Sequence, residues 1–140
     1  MSGFETRLRV RWAEVDAQGI VFNGHYLAYF DVGITEYWRA IGLPYPAGLA
    51  GTGGDLFAVK TLINYHGPAR YDDLLDIAVR VERIGNSSIV FELGIRRGDE
   101  RLISGEVVYV FADPATRRSR RVPELLREAV ERFEAAGARR

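Results

Sequence analysis

The sequence predicts an α+β fold in which an antiparallel sheet wraps one long helix. Aromatic and aliphatic residues recur at three- and four-residue spacing from Tyr26 to Ile41, the signature of a helix with one wide apolar face. Four later segments between Asp55 and Ala112 read as strands. The turns between them are short, which makes them antiparallel neighbours rather than parallel strands needing long crossovers.

Taken in order, Phe4 to Val15 reads as the first strand. Phe4, Thr6, Leu8, Val10 and Trp12 fall on one face, and Glu5, Arg7, Arg9 and Arg11 on the other. Asp16-Ala17-Gln18-Gly19 carries turn chemistry, so the strand is expected to stop at Asp16. The helix that follows has about five turns and closes at Gly42, with Pro44 beyond. At roughly 1.5 to 3 kcal/mol per large apolar side chain buried, its aromatic face is the main hydrophobic contribution. Gly33 within it costs roughly 1 kcal/mol of helix propensity, which points to close approach by backbone or ligand, packing being the simpler case. Leu43 to Gly54 is a long uncharged loop rich in Gly, Pro and Ala.

Asp55 to His66 reads as a strand buried on both faces, ended by Gly67-Pro68. The polar turn Ala69 to Asp73 leads into Leu74 to Ile84, where Leu75, Ile77, Val79 and Val81 alternate with Asp76, Ala78, Arg80 and Glu82. Gly85 to Ser88 forms a hairpin to Ile89–Arg96, and Gly98-Asp99-Glu100 turns into a last strand from Leu102 to Ala112. Arg117 to Arg121 is then an exposed basic loop. Pro123 opens a second helix with Leu125, Leu126, Ala129, Val130 and Phe133 inward, Arg127, Glu128, Glu131, Arg132 and Glu134 outward, and fraying expected at Gly137 and Arg139-Arg140. No repeat, linker or composition shift divides residues 1–140, which read as a single domain.

Composition narrows the function. The 19 basic and 19 acidic residues cancel, which points away from nucleic acid as a partner. No cysteine is present, so disulfides, thiolate zinc sites and cysteine nucleophiles are excluded, and a cytoplasmic location is expected. Apolar runs fall short of the roughly 20 residues that span a bilayer, so no membrane insertion is expected. His25 and His66 are the only histidines and lack ligand spacing, so no metal is expected. There is no glycine-rich phosphate loop and no Gly-x-Ser-x-Gly elbow.

What remains is Asp16 at a strand end, just ahead of a helix start that offers backbone N–H groups around Asn23, Gly24 and His25. A carboxylate can act as base or nucleophile on a carbonyl while helix-start amides stabilise the oxyanion. The plainer reading, in which Asp16 only caps its turn, stands beside it.

Asp16-Ala17-Gln18-Gly19-Ile20-Val21-Phe22-Asn23-Gly24-His25-Tyr26 resembles the signature of the hotdog-fold acyl-CoA thioesterases of the 4-hydroxybenzoyl-CoA thioesterase type. Pro68 to Asp73, Ile84-Gly85 with Ser88, and Val122-Pro123 extend the likeness along nearly the whole chain. The resemblance implies a curled antiparallel sheet of about five strands around a long central helix, plus a short C-terminal helix. It implies pairing into a homodimer with one continuous sheet, or a homotetramer, with sites between subunits. It also implies hydrolysis of an acyl-CoA thioester by Asp16, the Asn23 amide polarising the carbonyl. Coenzyme A then enters as part of the substrate, with no separate cofactor.

Gly24, His25 and Tyr26 are the expected substrate contacts near the reacting bond. Arg83, Ser87, Arg118 and Arg120 are expected against coenzyme A, and Tyr26, Tyr29 and Phe30 with the 43–54 loop around the acyl group. The likeness departs at Asn23, where many members carry His or Tyr, and at Ile34, where they carry Arg. A hydratase or dehydratase of the same fold lacks its His-led motif here. A non-catalytic acyl-CoA or acyl-carrier binding module is the other alternative.

Overall fold

The computed structural model describes residues 3–138. The expected fraying of Arg139-Arg140 lies outside the described residues. Seven main elements follow in order: β1 (Phe4–Arg9), α1 (His25–Ala40), β2 (Asp55–Tyr65), β3 (Leu74–Ile84), β4 (Ser88–Arg97), β5 (Glu100–Ala112) and α2 (Glu124–Ala138). The strands form one antiparallel sheet in the order β1-β3-β4-β5-β2, curled around α1 in the hotdog arrangement.

Register aligns the apolar rows. Phe4, Val79, Leu93, Gly105 and Ile63 lie side by side across all five strands, and Thr6, Ile77, Ile95, Ile103 and Tyr65 form the adjacent row. The helix seats on these rows through two glycines. A Cβ on Gly33 would stand 2.8 Å from Ile77 Cγ2 and 2.9 Å from Val79 Cγ2, so the bare backbone lets α1 approach β3. A Cβ on Gly105 would stand 2.7 Å from the Phe30 ring, so that gap in β5 receives the helix's phenyl group. The packing reading of Gly33 is the one the structure supports. α1 ends in a full Schellman motif: Leu43 N–H donates to Trp38 C=O at 3.0 Å and Gly42 N–H to Arg39 C=O at 3.0 Å, with Gly42 at φ +85°.

Several expectations need correction. β1 ends at Arg9 rather than Asp16. Beyond it Trp12–Glu14 forms a 3₁₀ turn, because Glu14 accepts the Arg11 N–H at 2.8 Å and the Arg11 guanidinium, which folds the backbone out of the ladder. Trp12 consequently leaves the inner face and is 73% exposed, edge-on to Tyr71. β2 is not buried on both faces: it is one of the sheet's two edge strands, and Val59, Leu62 and Tyr65 are exposed. α2 runs through Gly137, with Leu125 turned to solvent. Its Glu134 points inward, accepting the Tyr37 hydroxyl at 2.6 Å and the Val81 N–H at 3.1 Å where the β3–β4 register shifts. α2 is also fastened to the β3–β4 hairpin by Arg127, which donates to the Gly85 and Asn86 carbonyls.

Candidate active site

The Asp16 segment is a small closed loop. An isolated bridge joins Val15 to Val21, Asp16 N–H donates to Ile20 C=O at 2.9 Å, and Gly19, at φ +78°, donates to Asp16 C=O at 2.9 Å. The carboxylate is half-buried and its Oδ1 accepts the Gln18 N–H at 2.8 Å, so the turn-capping role is real. That bond occupies one lone pair, leaving the rest of the carboxylate for other work.

Two arms meet on one residue, Ala69, through the peptide groups on either side of its Cα. Val21 N–H, closing the Asp16 loop, donates to Ala69 C=O at 2.9 Å, while Ala69 N–H donates to the Tyr26 hydroxyl at 3.1 Å. Ala69 is fully buried, so the Asp16 loop and the first turn of α1 are pinned to the same fixed point. Tyr26 is correspondingly a core residue, edge-on to Tyr29 and Tyr65, and burial pushes its phenol up. At the helix start, His25 N–H is engaged by Phe22 C=O at 2.9 Å, which removes it from the expected set of free donors. The Asn23 and Gly24 amides meet no protein acceptor among the described residues. Asn23 C=O accepts the Tyr65 hydroxyl at 3.3 Å, tying the helix start to the end of β2. The His25 ring is half-buried against Phe22.

Glu14 is the residue the sequence reading passed over. It is 7% exposed and is the one buried charged side chain among the described residues. Its Oε1 accepts the Arg11 N–H at 2.8 Å and the Tyr29 hydroxyl at 2.9 Å. Burial alone would raise its pKa, but the donors from Arg11 and Tyr29 outweigh it and hold the carboxyl below the usual range. Burial first, and then Glu14, pushes the Tyr29 phenol well above its ordinary value. A signal was present: Glu14 continues the even-numbered inward phase of Phe4 to Trp12, as a charge on an apolar face.

The residues expected against coenzyme A gather elsewhere. Arg83 and Ser87 lie at the β3–β4 hairpin and Arg118 and Arg120 just after β5, at the opposite end of the sheet from Ala69. Ten residue steps along β3 at about 3.3 Å each put the two ends roughly 30 Å apart within one chain. Arg120 is held by Asp113 at 2.8 Å and reaches Gly53 C=O, whereas Arg83 and Arg118 are exposed and make no ion pair among the described residues. A cleft of about 170 Å³ opens between α1, the 43–54 loop and the start of β2, lined by Asp31, Thr35, Trp38, Tyr45, Leu56 and Tyr109. Tyr29 and Phe30, expected around the acyl group, are core residues that do not line it. A groove of about 620 Å³ lies on the outer sheet face around Ala78, Gly94 and Ser104 and does not include Asp16. There His66 Nε2 and Ser104 Oγ lie 2.8 Å apart, a cross-strand structural contact.

A curled five-stranded sheet wrapped around one long helix gives the chain the hotdog fold. Residues 18–104 match the Thioesterase superfamily, and the chain belongs to that family and is a thioester hydrolase. An acyl-CoA thioesterase of Haemophilus influenzae, YbgC, is 32% identical over 113 residues, covering 80% of this chain and 82% of its own. The acyl-CoA thioester hydrolase YbgC of Escherichia coli O6:H1 is 29% identical over 123 residues, with 86% and 90% covered. The solved structure of a probable thioesterase from Bartonella henselae superposes with a TM-score of 0.78 at 29% identity, covering 86% of this chain and 98% of that one.

Proposed function

We propose that the protein hydrolyses an acyl-CoA thioester to the free acid and coenzyme A, as an enzyme of the 4-hydroxybenzoyl-CoA thioesterase type acting in the cytoplasm. One observation carries the assignment of roles: the Asp16 loop and the first turn of α1 are pinned to the same buried residue, Ala69, with the Asn23 and Gly24 amides unclaimed by protein acceptors among the described residues. Asp16 takes a proton from water as the water oxygen attacks the thioester carbon, or attacks that carbon itself to give a mixed anhydride that water then cleaves. In both routes the carbonyl oxygen gains charge facing the helix-start amides, and the coenzyme A thiolate leaves and is protonated. An oxyanion donor of this kind contributes roughly 3 to 4 kcal/mol. Coenzyme A is part of the substrate, and the chemistry calls for no further cofactor or metal.

The separation of the arginine end from the Asp16 end supports a site completed by a second copy. β2 is an edge strand with Val59 60% and Tyr65 56% exposed. Pairing two such edges antiparallel about a two-fold axis carries the partner's arginine end toward this chain's Asp16 end, in a homodimer or a pair of dimers. Arg83, Ser87, Arg118 and Arg120 then bind the coenzyme A of the site opposite, while Gly24, His25 and Tyr26 shape the end that holds the reacting bond.

The bond from Gln18 N–H to Asp16 favours a second reading, a binding module in which Asp16 only shapes the turn. Thiol release from a panel of acyl-CoAs separates the two. Asp16→Asn is expected to lower kcat by about 10² to 10⁴ with KM little changed. Wild-type turnover by that variant removes Asp16 from the mechanism, and no release from any substrate by wild type favours the binding module.

A further inference from the structure

We propose that Glu14 is a positioning residue for Asp16, acting through the hydroxyl of Tyr29 to fix the Asp16 loop against the start of α1. The inference rests on the catalytic reading of Asp16 above. Residues 14–22 behave as one unit: Glu14 C=O accepts the Phe22 N–H at 3.0 Å, Val15 bridges Val21, and Asp16 N–H closes on Ile20 C=O. The Val21–Ala69 bond and the Ile20–Arg70 bridge hold this unit along one line, the 69–70 segment. A unit held along one line can still rotate about it. The Glu14 side chain supplies an attachment off that line, on α1, at Tyr29.

The two tyrosines divide the task. Tyr26 and Tyr29 stand three apart on one face of α1, so both phenols point from adjacent turns toward the same end of the sheet. Tyr26 takes the Ala69 N–H and Tyr29 donates to Glu14, so the fixed point and the loop are each referred to the helix whose first amides face the carbonyl. Arg11 fills the remaining lone pairs of Glu14 through its N–H and guanidinium, which keeps the buried carboxylate ionised and its acceptor oxygen aimed at Tyr29. A buried carboxylate used only for stability would be an expensive choice, since an apolar residue of similar size commonly does as well. Its position two residues before Asp16 gives the geometry a catalytic use.

Displacing a general base by an ångström can cost about 10²-fold in rate without touching substrate binding. Tyr29→Phe removes one hydroxyl and leaves the ring packing intact, so it is the decisive variant. The expected result is kcat lowered about 5- to 50-fold with KM within about twofold of wild type, in a protein whose far-ultraviolet circular dichroism is unchanged. Glu14→Gln is expected to fall in the same range, and the double variant Glu14→Gln/Tyr29→Phe to be no slower than the worse single, because both break one link. Wild-type kcat in folded Tyr29→Phe overturns the proposal, as does a double variant whose losses multiply. If Glu14→Gln does not fold, Tyr29→Phe alone decides. Asp16→Asn measured alongside keeps the two failures apart: wild-type turnover there sinks the catalytic reading of Asp16, whereas an inactive Asp16→Asn beside a fully active Tyr29→Phe sinks only the role of Glu14.

Discussion

Tyr37→Phe isolates the contribution of the α2 clasp. The Tyr37 ring is fully buried and meets Phe4, Trp38, Phe91 and Phe133 edge-on at centroid distances of 5.3 to 5.9 Å, all of which phenylalanine preserves. What is lost is the 2.6 Å bond to Glu134. A hydrogen bond to a charged acceptor contributes about 1.5 to 3 kcal/mol. Glu134 is only half-buried and keeps the Val81 N–H, so the lower part of that range applies, about 1.5 to 2 kcal/mol. With about 2.1 cal/mol/K of unfolding entropy per residue, a chain of 140 residues gives roughly 0.3 kcal/mol/K, and the expected fall in Tm is about 5 to 7 °C. Thermal unfolding followed by circular dichroism, at one fixed protein concentration, measures it. Glu134→Gln and the double variant complete a cycle in which the second change adds little to the first. Turnover should be untouched, because the clasp lies at the far end of α1 from Asp16. A fall below about 2 °C, or strictly additive losses, would refute the reasoning that this bond fastens α2.

Gly33→Ala sets a gain of about 1 kcal/mol in helix propensity against overpacking of about 1 to 3 kcal/mol, since Ile77 and Val79 are branched and cannot swing away. A Tm lowered by a few degrees is expected, and a raised Tm would show that the helix lifts freely off β3. Alkaline titration probes the buried phenols. Tyr29 and Tyr37 are pushed up, by burial first and then by Glu14 and Glu134 respectively. Their protons are held more tightly in the folded than the unfolded chain, so their contribution to stability is complete below the unfolded value of about 10 and declines as pH rises from there toward the folded values. Phenolate absorbance should therefore climb in two stages, the second coinciding with loss of secondary structure. If all seven tyrosines ionise before the circular dichroism changes, these two are not buried as described.

Where side chains alternate, the sequence was transparent: β3, β4 and β5 fall where the period of two places them, and Gly42 marks the end of α1. It was opaque where contacts outside the alternating pattern decide. β1 stops early because Glu14 captures Arg11 and diverts the chain, a competition that the period of two does not register. β2 looked like an interior strand because its apolar run says nothing about whether a neighbour exists on both sides. Glu134 sits among exposed charges in the helix pattern, and the Tyr37 hydroxyl and the Val81 N–H at a register shift draw it inward. At the candidate site, Asp16, Asn23 and Gly24 could be put forward from the sequence because they lie on one short segment. The tie to Ala69 could not, since nothing in Pro68 to Asp73 indicates which backbone groups point at a helix some 40 residues earlier in the sequence.

The ladder between β2 and β5 shifts between Ala58 and Lys60, where Ala58 faces Tyr109 and Lys60 faces Val108, so Val59 has no opposite number. Such a bulge twists an edge locally and confines regular pairing with another strand to the stretches on either side of it. A fibril template cannot easily grow across that break. For protein engineering, Val59 is spare length: omitting it should leave the other pairings of β2 undisturbed while straightening the border, trading protection against runaway stacking for a longer seam.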